Sequence, residues 1–158
     1  MLKLIILDVD GTLTDGGIYI SSDSVETKRF YAPDGLGIIM AQRQGVRFAI
    51  ITGRDSECVA IRAKELEIDQ VYQRVNNKKQ CLANIMELLG LSQAEVGYIG
   101  DDMNDFEAMA LAGFIACPAN AAKGIKSISN YIAKSTGGAG AVREIIDFIL
   151  DNNYHRDV

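Results

Sequence analysis

Short apolar runs along the chain alternate with segments whose apolar residues fall three and four apart. Leu4 to Val9, Arg47 to Thr52, Val96 to Gly100, Phe114 to Cys117 and Tyr131 to Ala133 are brief and bounded by Gly, Pro or Asp, which predicts buried strands. Val71-Tyr72 is a weaker sixth. Between them, Leu36 to Gln44, Ser56 to Leu66, Asn77 to Leu89, Asp105 to Ala112 and Ala141 to Leu150 have the spacing of helices with one apolar face. Such alternation predicts an α/β fold, a doubly wound and mainly parallel sheet with helices on both faces. Ligands of such sheets bind beyond the carboxyl ends of the strands. One stretch departs from the pattern. Ile18 to Ser21 and Val25 to Phe30 are strand-like and flank Ser22-Asp23-Ser24, which predicts a β-hairpin inserted after the first strand, within about residues 16–31. There is no internal repeat, low-complexity tract or linker, so 1–158 reads as a single domain.

Composition narrows the class. The 158 residues are enough for one core without disulfide or metal staples, and 48% hydrophobic with 23% charged residues is ordinary for a soluble globular chain. A net charge of −5 with no Lys/Arg run excludes the footprint of a nucleic-acid or anionic-membrane binder. Cys58, Cys81 and Cys117 lie far apart, and His155 is the one histidine, which excludes zinc-finger and Cys/His protease readings. The first apolar run is too short for a signal sequence and no later run approaches a membrane span, so a cytoplasmic protein with reduced thiols is expected.

The chemistry gathers at predicted strand ends. Asp8-Val9-Asp10-Gly11-Thr12 places two carboxylates two residues apart, on one side of an extended chain. Thr52-Gly53-Arg54 delivers a hydroxyl, a flexible glycine and a cation at the next strand's end, and Gly100-Asp101-Asp102-Met103-Asn104-Asp105 follows a third. Each has a bland alternative: a solvated turn, a helix cap, or acids favoured by a helix dipole. Their conjunction on one sheet edge argues for a site. Clustered carboxylates repel unless a cation sits among them, and an all-oxygen set without Cys or His suits Mg²⁺. Beside such an ion a phosphoryl group could be attacked in line by an aspartate, with Lys78 as a further cation. No P-loop occurs, and neither Gly35-Leu36-Gly37 nor Gly138-Ala139-Gly140 makes a dinucleotide fingerprint.

In this order, Asp-x-Asp-Gly-Thr, Thr-Gly-Arg, a separated Lys and Gly-Asp-Asp-x-x-Asp resemble the haloacid dehalogenase superfamily of phosphotransferases. Leu13-Thr14-Asp15-Gly16, Phe30 with Asp34-Gly35-Leu36-Gly37, and Gly137 through Glu144 resemble, within it, the 3-deoxy-D-manno-octulosonate (KDO) 8-phosphate phosphatases, which are capless and typically tetrameric. The resemblance implies a Rossmann-like core without a cap domain. It makes Asp8 the nucleophile and Asp10 the general acid/base, with Mg²⁺ on Asp8, the Asp10 main-chain carbonyl and Asp101. Thr52, Gly53 and Lys78 would hold the phosphate. Arg54 and Arg62 match positions used near a sugar-acid phosphate, and Gly137, Gly138 and Gly140 would approach a neighbouring subunit's site in a homotetramer. Two positions depart from the family: Ala139 stands where a basic residue is frequent, and no histidine follows Phe114 to Cys117. Arg54 favours KDO 8-phosphate over nine-carbon keto-acid phosphates, whose phosphatases tend to carry Glu there. A nonulosonate 9-phosphate phosphatase or broad sugar phosphatase is the alternative enzyme. A phosphoacceptor signalling domain is the alternative of another class, although its motif order differs, and an inactive regulatory domain is the third.

Overall fold

The computed structural model describes residues 1–154, so His155 lies outside it. In chain order the elements are β1 (Leu4–Leu7), β2 (Tyr19–Ile20), β3 (Glu26–Thr27), α1 (Ala32–Arg43), β4 (Arg47–Ile51), α2 (Glu57–Glu65), β5 (Gln70–Tyr72), α3 (Lys78–Leu89), β6 (Val96–Ile99), α4 (Phe106–Met109), β7 (Phe114–Cys117), α5 (Lys123–Ile128), β8 (Tyr131–Ile132) and α6 (Ala141–Tyr154). Six strands form one sheet in the order β5-β4-β1-β6-β7-β8, with every neighbouring pair parallel. The order reverses at β1, which has β4 on one side and β6 on the other, the place where such sheets open a crevice.

Side-chain alternation explains the all-apolar strands. Ile5, Leu7, Phe48 and Ile50 face a core shared with α1, α2 and α6. Leu4, Ile6, Ala49 and Ile51 face a second core against α3, α4 and α5. Each Ile or Leu fully buried this way contributes roughly 1.5–3 kcal/mol. Two cores on one sheet hold the strand ends in place. Between β1 and β4 the chain holds a 9–13 turn, the β2–β3 hairpin and α1, and between β4 and β6 only α2, β5, α3 and a short 93–95 turn, so among the described residues no lid domain is inserted between these strands.

Some boundaries differ from the sequence reading. The hairpin is paired over two residues on each strand, Tyr19 with Thr27 and Ile20 with Glu26, and Phe30 instead bridges back to Thr14. Helix α1 starts at Ala32 rather than Leu36, because Pro33 fits a first helical turn. The helix expected over 105–112 is one turn, and α5 was not anticipated: in six residues only Ile125 is fully buried, too little for a visible period. Helix α6 is integral to the core through Val142, Ile145, Ile146 and Ile149.

Candidate active site

Strand β1 delivers Asp8 at the sheet's carboxyl edge, where its N–H bonds the Ile99 carbonyl of β6. The chain then winds through a wide turn, closed by the Thr14 N–H on the Val9 carbonyl at 3.1 Å. Gly11 makes the turn possible. Its φ is +92°, and a Cβ there would lie 2.1 Å from Asp101 Oδ2. Asp101 follows β6, and Thr12 donates its hydroxyl to Asp101 Oδ1 at 3.2 Å, fixing the orientation of that carboxylate.

Lys78 is the first residue of α3, whose start is set by Asn77, the side chain of which accepts the Gln80 N–H at 2.9 Å. Only 4% exposed, Lys78 directs Nζ to Asp8 Oδ1 and Asp105 Oδ1, each at 2.7 Å. Asp105 is fully buried. Its Oδ1 also accepts from the Tyr98 hydroxyl at 2.9 Å and its Oδ2 from the Asp101 N–H at 3.3 Å. Burial and the Asp105 charge hold Tyr98 protonated as a donor.

Electrostatics mark the centre. Burial and the charges of Asp105 and Asp101 raise the Asp8 carboxyl well above its usual range despite Lys78. Burial and Asp105 push Asp101 up to about 6, against a hydrogen bond with Asp8. Burial opposes the Lys78 charge, but Asp8 and Asp105 outweigh it and keep the ammonium formed. Asp8, Asp101 and Asp105 each offer an oxygen, all within 4.8 Å of one another. The all-oxygen set, buried and short of positive charge, fits Mg²⁺. Asp105 is nevertheless spent on Lys78, Tyr98 and the Asp101 N–H, so Asp8 and Asp101 are the side chains left to hold the ion.

A cavity of about 440 Å³ opens above this centre, lined by Asp8, Asp10, Thr52, Gly53, Arg54, Asp102, Met103 and Asn104. Thr52, Gly53 and Arg54 thus share this cavity with Asp8 and Asp10, whereas Lys78 bonds Asp8 without lining it. Arg62 does not line this cavity. Its guanidinium carbon lies 5.8 Å from the Phe30 ring centroid, and Nη1 pairs with Glu65 at 3.1 Å. The glycine segment packs closely against its own protomer. A Cβ on Gly137 would sit 1.9 Å from the Gly11 carbonyl oxygen, and one on Gly138 2.4 Å from the Asp15 nitrogen. The Gly137 N–H bonds Asn120 Oδ1 and the Gly138 N–H the Thr12 carbonyl. Gly137 and Gly138 thus pack on the Asp8–Thr14 turn of their own protomer, and Gly140, at φ +107°, leads into α6. The Gly137 and Gly138 N–H groups are thus hydrogen-bonded within the protomer.

Three polar residues close to the centre escaped the sequence reading as site residues. Asp105 was visible as the last acid of its motif. Lys28 donates to Asp10 Oδ1 at 2.5 Å, and Glu26 Oε1 stands 3.0 Å from the Lys28 ammonium. Alternation from β3 through Phe30 was the available signal, since Glu26, Lys28 and Phe30 are less exposed than Thr27 and Arg29.

Residues 70–146 match the model of the haloacid dehalogenase-like hydrolases. The 3-deoxy-D-manno-octulosonate 8-phosphate phosphatase KdsC of Escherichia coli strain K12 is 38% identical over 149 residues, covering 94% of this chain and 79% of that protein. Among solved structures, the 3-deoxy-D-manno-octulosonate 8-phosphate phosphatase of Moraxella catarrhalis, in complex with magnesium, phosphate and KDO, superposes with a TM-score of 0.93 at 42% identity, over 97% of this chain and 89% of that one. The cobalt-bound form of the Haemophilus influenzae phosphatase gives 0.92 at 32% identity, over 99% and 94%.

Proposed function

Because the chain belongs to the haloacid dehalogenase-like hydrolases, in the family of KDO 8-phosphate phosphatases, we infer that it hydrolyses KDO 8-phosphate to KDO and phosphate. It is a Mg²⁺-dependent phosphoric monoester hydrolase. Family membership sets aside the phosphoacceptor signalling domain, and a complete acidic centre argues against an inactive relative.

The observation that supports the residue roles is the set of groups around Asp8, with Lys78 at 2.7 Å and an Asp101 oxygen within 4.8 Å. Asp8 attacks phosphorus in line and forms an aspartyl phosphate, while Asp10 gives a proton to the departing sugar oxygen. Asp10 then takes a proton from the water that attacks the aspartyl phosphate, releasing phosphate and restoring Asp8. Asp8, Asp101 and the Asp10 carbonyl would hold Mg²⁺, which would supply charge neutralisation for the transferring phosphoryl group. Lys78 keeps Asp8 aimed and its charge compensated; Thr52 and Gly53 face the phosphoryl oxygens, and Arg54 faces the sugar acid. Asp8→Asn should lower phosphate release from KDO 8-phosphate by at least ~10³-fold with folding unchanged, and retention of more than about a tenth of the activity would overturn the assignment.

We also place the protein in the cytoplasm as a homotetramer with shared sites. The three cysteines are free, and among the described residues no helix is long and apolar enough to cross a membrane. Ile18, Ile20 and Val25 of the hairpin are more than half exposed, an apolar tip suited to burial against other copies. A substrate role for Arg62 then falls on a neighbour's site, since Arg62 does not line its own cavity.

A further inference from the structure

Lys28 stands out as a buried charge on an otherwise exposed element. Its side chain is 3% exposed, while Ile18 and Ile20 on the same hairpin are each 62% exposed. Burying an ammonium costs several kcal/mol unless well-placed acceptors surround it. Here the acceptors are Asp10 Oδ1 at 2.5 Å and Glu26 Oε1 at 3.0 Å, and the same Glu26 oxygen lies 3.5 Å from Arg54 Nη2. Burial opposes the Lys28 charge, yet hydrogen bonds to Asp10 and Glu26 hold its pKa above the ordinary lysine value. A chain of alternating charges therefore runs from the turn after β1, through the hairpin, to the loop after β4.

Asp10 needs such a tether. It lies in the irregular part of the wide turn, at φ −72° and ψ 112°, and its side chain is 26% exposed at the cavity wall. Among the described residues, its carboxylate accepts a hydrogen bond from Lys28 alone. A group that delivers a proton in the transition state must be held to within about 1 Å, because misplacement on that scale costs about 10²-fold in rate.

We propose that Lys28 is a positioning residue for Asp10, with the inner strand of the hairpin serving to aim the carboxylate that meets the leaving oxygen. The inference rests on the acid/base role assigned to Asp10. It predicts a defect specific to poor leaving groups. An alkyl ester such as KDO 8-phosphate needs its departing oxygen protonated, whereas p-nitrophenolate leaves with little help.

The test compares single-turnover rates of KDO 8-phosphate and p-nitrophenyl phosphate with Mg²⁺ for the full chain and for Lys28→Met, Lys28→Arg, Asp10→Asn and the double variant Asp10→Asn/Lys28→Met. Lys28→Met should slow the alkyl ester roughly 10- to 100-fold and the aryl ester less than about 3-fold. Lys28→Arg should recover part of the loss, and adding Lys28→Met to Asp10→Asn should change neither rate by more than about 2-fold. Equal slowing of both esters by Lys28→Met, no slowing of either, or additive losses in the double variant would overturn the positioning role. Equal slowing of both esters by Asp10→Asn would instead overturn the acid role of Asp10, and the inference with it. If Lys28→Met does not fold, Lys28→Gln, which keeps length and one donor, is read against the same outcomes.

Discussion

Asp8 and Asp101 are ionisable groups in a place that solvates charge poorly, and a proton or a cation must relieve them. Both carboxyls lie above their ordinary range, Asp101 at about 6, chiefly through burial. Mg²⁺ needs the ionised forms, so raising the pH removes a competing proton. Affinity for Mg²⁺ is therefore expected to be weak at pH ~5, to rise through pH ~6 and to level off once both groups are ionised. Calorimetric titration with Mg²⁺ in two buffers of different ionisation enthalpy should show proton release on binding near pH 6, where Asp101 titrates. A flat affinity across this range, with no proton release, would count against Asp8 and Asp101 as ligands. Asp105 illustrates the same physics resolved otherwise: Lys78, Tyr98 and the Asp101 N–H satisfy it, which makes it a support for the site.

Among the elements, α1 and α6 are joined by a buried carboxylate. Asp34, in the first turn of α1, is 1% exposed and accepts the Arg143 N–H of α6 at 2.9 Å through Oδ1, while Oδ2 is buried without a partner. Burial raises its pKa from 3.8 to about 6 in spite of that bond. A carboxyl raised on folding favours the folded state in its protonated form. Its contribution is complete below the unfolded value and is lost as pH climbs through about 6, a change of about 3 kcal/mol for a shift of this size. Asp34→Asn retains the Oδ1 acceptor and removes the charge. It should match the parent in urea unfolding near pH 4 and gain relative stability, by about 3 kcal/mol at most, above pH ~6. A difference between the two that does not vary with pH would refute this account. The apolar part of the α1–α6 contact, with Ile38 and Ala41 facing Val142, Ile145 and Ile146, also explains why the chain cannot be shortened at Ser135 without stripping its core.

For the molecule as a whole, the open crevice and the exposed hairpin tip belong to one problem. A lidless cavity offers little grip on a sugar, and an apolar tip with short strand edges invites pairing with another copy. Light scattering should give a particle near four times the 17.2 kDa chain. Ile18→Asp combined with Ile20→Asp should dissociate it, leave p-nitrophenyl phosphate turnover within about 3-fold, and raise the KM for KDO 8-phosphate by roughly tenfold or more, because a neighbour's contribution to sugar binding is lost. A monomeric parent protein, or a dissociated variant with unchanged KM, would remove the case for shared sites.

Much of this was written locally in the chain. Apolar runs of four or five residues, Gly and Asp at their ends, and helical spacing between them determine the α/β alternation, and the rules of parallel sheets carry Asp8, Thr52 and Asp101 to one edge. That part is legible because strand and helix periods act on neighbours in sequence, and a residue directly after a strand inherits its place from the strand. Tertiary structure alone decided what those residues touch. Lys28 meets Asp10 across 18 positions and Lys78 meets Asp105 across 27. Gly137 closes on Gly11 from the far end of the chain, and Arg62 turns toward Phe30 rather than into the cavity. Periodicity tells which face a side chain takes and not which partner waits there, since partners are set by how the helices and the hairpin pack on the two faces and the edge of a completed sheet.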